Sequence, residues 1–151
     1  MSIWQRDDYL ISTDNDRLDI HFIHDFLANR AYWALGRSLD VVKRSIDHSL
    51  NFGVYKNDQQ IGFARVVTDF ATFAWLADVF VIEEHRGKGL GAWLIDVITN
   101  HPELQGLRRW MLATKEAHEL YRRVGFSELA APQRWMERLE DQRQHEVMIE
   151  G

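Results

Sequence analysis

The chain has 151 residues, 46% of them hydrophobic and 27% charged, with 18 basic against 23 acidic side chains and a formal net charge of −5. That length and balance describe one folded domain and not a disordered segment, and the acidic excess argues against a general nucleic-acid binder, which needs a basic face for the phosphate backbone. The absence of cysteine excludes disulfide scaffolds, thiolate zinc sites and cysteine nucleophiles together. The opening residues carry no signal-peptide pattern and no apolar run approaches a membrane span, so a soluble cytoplasmic domain without a membrane partner is expected.

Tyr9 to Ser12 reads as a first strand. Asp16 is placed to cap the next helix, with Asp19 favouring its positive end, and Ile20, Ile23 and Leu27 give that helix an apolar stripe. Ser38 caps a second helix, on which Leu39, Val42, Ile46 and Leu50 share a face. Between the two lies a short aromatic connection, residues 29–37, that holds Tyr32, Trp33 and Arg37. The period then changes: residues 52–55 and 61–67 flank a polar turn, the mark of a hairpin. Residues 72–82 form a longer apolar strand interrupted by one charge, Asp78. A helix over 89–100 follows, then a strand over 107–113 and a helix capped by Thr114 and stopped by Gly125. Residues 126–129 and 135–139 can supply two last strands. The order predicts an α+β fold, a mixed central β-sheet flanked by helices in a single domain. Its core spans roughly 9–139, and a polar tail follows from about Glu140.

The informative stretch is Val79-Phe80-Val81-Ile82-Glu83-Glu84-His85-Arg86-Gly87-Lys88-Gly89-Leu90-Gly91. A buried strand ends, a glycine-rich turn follows, and an apolar helix begins at once. The N–H groups of such a turn point outward at the positive end of a helix, and glycine lets an anion approach the backbone closely. With Arg86 and Lys88 alongside, a pyrophosphate is the natural guest. The spacing fails the P-loop pattern because Lys88 is followed by Gly89, and it fails the dinucleotide fingerprint because the glycines run Gly-x-Gly-x-Gly.

Arg86, Gly89 and Gly91 do fill Arg/Gln-x-x-Gly-x-Gly/Ala, which resembles motif A of the GNAT (Gcn5-related) N-acetyltransferases. A second match, Ala117 to Phe126, is similar to that family's Ala-x-x-Leu/Phe-Tyr-x-x-x-Gly-Phe signature. The element order resembles the family from about Tyr9 to about Leu139. One departure is Thr114, where members often carry asparagine.

The resemblance implies an acetyl-CoA site in a V-shaped opening between the strands that end at Ile82 and Ala113. Val79, Phe80 and Val81 would pair with pantetheine, and Arg86, Gly87, Lys88, Gly89, Leu90 and Gly91 would hold the pyrophosphate, with Thr114 nearby. A strand N–H, of Phe80 or Val81, would receive the oxyanion. Tyr121 matches the family's general acid, and transfer would be direct, in a ternary complex. Asp78 is a candidate for the base that deprotonates an incoming ammonium, since a carboxylate in an apolar strand needs an explanation; pairing with a basic group is the other explanation, and Glu83 or Glu84 acting through water the other base. The resemblance places the link between the first two helices at the acceptor site, where Tyr32 and Trp33 would pack an apolar or cationic substrate and Arg37 would hold a carboxylate. The alternative for these three is packing of the helix pair.

The implied activity is acetyl transfer to a primary amine of a small molecule. The alternatives are a protein or peptide acceptor, or a non-catalytic acyl-CoA sensor. No metal is expected, because His21 and His24 lack a third ligand. The resemblance leaves the oligomeric state open, with a homodimer through paired last strands as one outcome.

Overall fold

The computed structural model describes residues 1–140. Six strands form one sheet in sequence order: β1 (Ile3–Arg6), β2 (Tyr9–Ser12), β3 (Leu50–Lys56), β4 (Gln59–Thr68), β5 (Phe73–Val81) and β6 (Arg109–Met111). The first five are antiparallel neighbours, and β6 runs parallel to β5. Among the described residues four α-helices complete the fold, α1 (Ile20–Asn29), α2 (Leu39–Asp47), α3 (Leu90–Thr99) and α4 (His118–Arg122). A mixed sheet with helices on it is the expected α+β architecture.

Each face of the sheet buries its own core. Ile11, Phe52, Val54, Ile61, Ala74 and Leu76 pack with Leu90, Leu94, Ile95 and Ile98 of α3 and with Tyr121 of α4. Ile23, Phe26, Leu27, Val42 and Ile46 of α1 and α2 pack with Phe63 and Phe80. The second set is reached through a register shift opposite Phe63 to Arg65, where Asp78 adopts φ 54°. One extra residue in a strand exchanges the faces of everything beyond it. Ala74 and Leu76 therefore point toward α3, whereas Phe80 points toward α1 and stacks on Phe26 at 3.8 Å.

Several local expectations are corrected. Asp16 does not cap α1; Asp19 does, accepting from the Phe22 N–H at 3.0 Å, while its own N–H donates to Gln60 Oε1. Asp14 caps a short 3-10 turn in which Asp16 sits. A strand precedes the one expected first: β1 pairs with β2 across a turn at Asp7 and Asp8. The strand expected over 107–113 shortens to β6. Residues 126–129 and 135–139 form no strand, because neither finds a ladder partner. Glu128 is held by Arg122, and Trp135 lies under the Arg109 guanidinium, 4.8 Å from its ring. The polar tail falls mostly outside the described residues. Among those described, no helix is long and apolar enough to cross a membrane.

His101 is buried between Trp4 and Phe52, with ring centroids at 5.7 Å to each, and its Nδ1 accepts from the Glu103 N–H. Burial lowers its pKa from 6.5, so the unfolded chain takes the proton first. The stability it contributes is complete above about pH 6.5 and falls as the pH drops toward the folded value. Urea unfolding between pH 7.5 and 5.5 should show wild type losing stability faster than His101→Asn, which keeps a cap acceptor but cannot titrate. Equal slopes would remove His101 from the pH response.

Candidate functional site

The parallel pairing of β5 with β6 stops early. Phe73, Ala74 and Trp75 face Arg109, Trp110 and Met111, and no pair follows. The rest of β5, to Val81, therefore presents an open edge on that side. The Ile82 N–H donates to the Ile61 carbonyl of β4, so strand alternation turns the N–H and C=O of Val81 toward the open edge. Arg86 Nε donates to that carbonyl at 2.9 Å.

A cleft of about 620 Å³ lies along this edge. Its walls include Val79, Phe80 and Val81 from β5, Arg86, Gly87, Gly89, Leu90 and Gly91 from the turn and α3, Tyr32 and Trp33 from the α1–α2 link, and Tyr121 from α4. Gly87 and Gly89 have φ of 80° and 76°, a region that penalises any side chain. A Cβ on Gly87 or Gly91 would meet nothing within 4 Å. The turn thus offers bare backbone N–H groups at the start of a buried ten-residue helix, an arrangement suited to an anion.

Eight of the ten residues expected to bind the cofactor line this cleft. The other two do not. Lys88 turns away and donates to the Tyr9 hydroxyl at 3.3 Å. Thr114 borders a neighbouring hollow of about 310 Å³ and accepts from the Ala117 N–H. It shapes the entry to α4, whose first residue is His118 and not a residue directly after Thr114.

Tyr121 borders both the cleft and that hollow. Its side chain is buried, and its hydroxyl makes no hydrogen bond to the described residues. Burial, with the Tyr32 phenol adding to it, pushes its pKa up to about 12. The phenol is fully protonated at neutral pH and free to donate.

Asp78 is not an open carboxylate. Its side chain is 2% exposed and is ringed by donors: Arg37 Nη1 at 3.0 Å from both oxygens, Arg65 Nε at 2.9 Å and Trp33 Nε1 at 2.9 Å. Burial pushes its pKa up, but the charges of Arg65 and Arg37 and the hydrogen bonds from Arg65 and Trp33 outweigh burial and hold it below 3.8. Arg37 is thereby committed to Asp78 and is absent from the cleft wall, so it does not stand ready for a substrate carboxylate. Trp33 is 40% exposed and Tyr32 51%. Tyr32 packs edge-on against Trp33 at 5.1 Å and accepts from the Lys115 N–H at 2.8 Å, which ties the α1–α2 link to the turn before α4.

The residue missing from the sequence reading was Arg65. A lone arginine in the apolar strand β4, one register position from the lone aspartate of β5, was the available signal. Phe26, Arg30, His85 and Glu116 also border the cleft, and nothing in their spacing marked them.

A family model described as an acetyltransferase (GNAT) domain matches residues 47–128. A protein of Gibberella zeae named for an inferred acetyltransferase activity is 31% identical over 140 residues, covering 78% of each chain. The crystal structure of a GNAT-family protein from Xanthomonas campestris pv. campestris, also named for inferred acetyltransferase activity, is 51% identical. It superposes with TM-score 0.86 over 87% of this chain and 93% of that one. A protein of Clostridium acetobutylicum named for an inferred acetyltransferase activity and solved with acetyl-CoA shares the fold at 15% identity, with TM-score 0.62 over 87% of this chain and 94% of that one.

Proposed function

The chain belongs to the GNAT acetyltransferases and is an acyltransferase, and from that premise we propose that it moves the acetyl group of acetyl-CoA directly to a primary amine of a small molecule. The observation that carries this reading is the unpartnered, protonated Tyr121 hydroxyl on the wall of the cleft that also contains the glycine turn. The residues present suit the donor. The open edge of β5 can pair with the amide groups of pantetheine as an added strand, and the N–H groups at Arg86 to Gly91 can hold a pyrophosphate.

Acetyl-CoA supplies an activated thioester. The protein's part is to bind, to orient and to move protons. The Val81 N–H, turned to the open edge, is the strand donor best placed for a developing oxyanion. Tyr121 gives its proton to the departing thiolate, whose free conjugate acid has a pKa of about 8.5, and the proton that the nitrogen sheds as the amide forms passes through water and restores the phenol. Asp78 holds Trp33 and Arg37 against the β5 bulge and is assigned a positioning role, because a carboxylate with a lowered pKa that accepts four hydrogen bonds from three side chains is a poor proton acceptor. Tyr32 and Trp33 form the aromatic wall for the amine.

Trp33→Ala should raise the acceptor KM roughly 3- to 10-fold, the scale of one aromatic contact, with the acetyl-CoA KM unchanged. Equal effects on both would assign Trp33 to packing alone. The acceptor class is tested by incubating the protein and acetyl-CoA with a mixture of small amines and unblocked peptides and recording by mass spectrometry which gain one acetyl group. Small amines should gain it; exclusive labelling of peptides would replace the acceptor, and labelling of neither with acetyl-CoA bound would favour a sensor.

A further inference from the structure

A carboxylate beside one arginine makes a neutral pair, but Asp78 has two. Arg37 Nη1 reaches both of its oxygens at 3.0 Å, and Arg65 Nε reaches Oδ2 at 2.9 Å. No other carboxylate of the described residues pairs with either guanidinium. Arg65 Nη1 goes on to a neutral partner, Ser49 Oγ, at 3.1 Å, and on the other side His24 Nε2 meets the Arg37 carbonyl at 3.1 Å. The side chains of Arg37, Arg65 and Asp78 are 17%, 14% and 2% exposed, so water and salt screen them little. The group therefore holds one positive charge in excess, largely out of solvent.

Folding does not require the second arginine. Arg37 alone neutralises Asp78, and a further guanidinium sheltered from water carries a desolvation cost. Arg65 bears that cost in β4 between Ala64 and Val66, both fully buried. The place of the surplus charge shows what it serves. Trp33 Nε1 donates to Asp78 Oδ1 at 2.9 Å, and the same indole borders the cleft. The charge thus lies one indole behind the wall assigned to the acceptor amine. The other groups that face this space are Arg30 from α1, Tyr32 from the link, with the Lys115 Nζ 5.5 Å from its ring, His85 and Arg86 from the turn, and Glu116 and Tyr121 at α4. Glu116, which is exposed, is the single carboxylate among the described residues that line the cleft.

We infer that Arg65 acts in the reaction without touching the substrate: the positive charge it adds behind Trp33 keeps the acceptor nitrogen in its neutral, nucleophilic form. This rests on the acetyl-transfer reading above. A like charge nearby disfavours an ammonium, so the amine gives its first proton to water and meets the thioester with its lone pair available. Asp78 anchors the arrangement, and Arg65 sets its sign.

The test is the pH dependence of kcat at saturating acetyl-CoA and amine for wild type, Arg65→Gln and Arg65→Lys. Two acceptors of different basicity, both found by the mass-spectrometric assay above, are compared. In wild type the acid limb should lie at least about one pH unit below each amine's pKa in water. It should move with the amine, which a limb owned by His85 or Glu116 would not do. Arg65→Gln keeps Asp78 paired with Arg37 and should raise the limb by about half to one pH unit. Arg65→Lys loses the guanidinium geometry but keeps the charge, and should leave the limb in place. A wild-type limb at the amine's own pKa, or one limb common to all three proteins, would overturn the inference and leave acetyl transfer standing. An equal shift in both variants would overturn it too, by assigning Arg65 to packing. Wild type that acetylates no amine would overturn both readings.

Discussion

Replacing Tyr121 with phenylalanine will lower kcat by about 100- to 1,000-fold, the usual share of a positioned acid, while acetyl-CoA affinity stays within about threefold. The ring fills the core against Phe126, with centroids 5.9 Å apart, and phenylalanine keeps that packing. The hydroxyl makes no hydrogen bond to the described residues, so its loss orphans no partner. Fold and donor site are therefore preserved, and only the proton source goes. With its pKa pushed up to about 12 by burial and by Tyr32, the phenol remains a donor throughout the neutral and mildly basic range. Loss of rate below about pH 10 must then come from another group. Steady-state rates together with calorimetric affinity check the split. An unchanged kcat would remove Tyr121 from the chemistry, and a lost affinity would make it part of the donor site.

Asp78→Asn carries the second large effect, and its cause is stability. Asparagine keeps the volume and tolerates the positive φ of 54° as aspartate does, so the variant isolates the charge. It leaves the Arg37 and Arg65 guanidinium groups, 17% and 14% exposed, without their counter-ion. Breaking a buried pair by removing one partner costs about 3–5 kcal/mol, or on the order of 10 °C in Tm for a chain of this size. The sign of the pH dependence follows from the lowered pKa. The contribution of Asp78 is present above the ordinary carboxylate value and is lost as the pH falls through the lower folded value, so at neutral pH the full penalty appears. Activity separates this clamp from a catalytic base. A missing base is compensated at high pH, where the amine deprotonates by itself. A missing clamp lowers the rate at every pH and raises the acceptor KM, because Trp33 is released with it. Recovery of kcat in alkaline solution with an unchanged Tm would restore Asp78 as the base.

The glycine turn was legible because its chemistry is backbone chemistry. A strand, a turn with Gly87 and Gly89 at positive φ and an apolar helix must be adjacent in the chain to act together, so spacing reports them. The place of Tyr121 on the cleft wall was legible for a similar reason, being embedded in a short helix with its stop at Gly125. For Asp78 the sequence offers pairing with a basic group as one of two explanations but does not name the partners, because they stand 13, 41 and 45 residues away and meet it only through a bulge that no periodicity announces. The sequence leaves Arg37 between a substrate carboxylate and packing of the helix pair; the structure shows it holding the protein's own carboxylate. The strand β1 escaped notice because four residues with one partly buried side chain carry no apolar alternation. The expected last strands failed in the opposite way. Trp135, Met136 and Leu139 have the composition of a strand, but composition does not supply a partner to pair with.

The central claim is acetyl transfer from acetyl-CoA to an amine with Tyr121 as the acid, and release of free thiol tests it most directly. Since the chain contains no cysteine, every thiol detected by a thiol-reactive dye comes from CoA. Amine-dependent thiol release by wild type, reduced about 100-fold or more in Tyr121→Phe, is the predicted result. Release that is equal in the two proteins, or none with any amine or peptide despite bound acetyl-CoA, would contradict it.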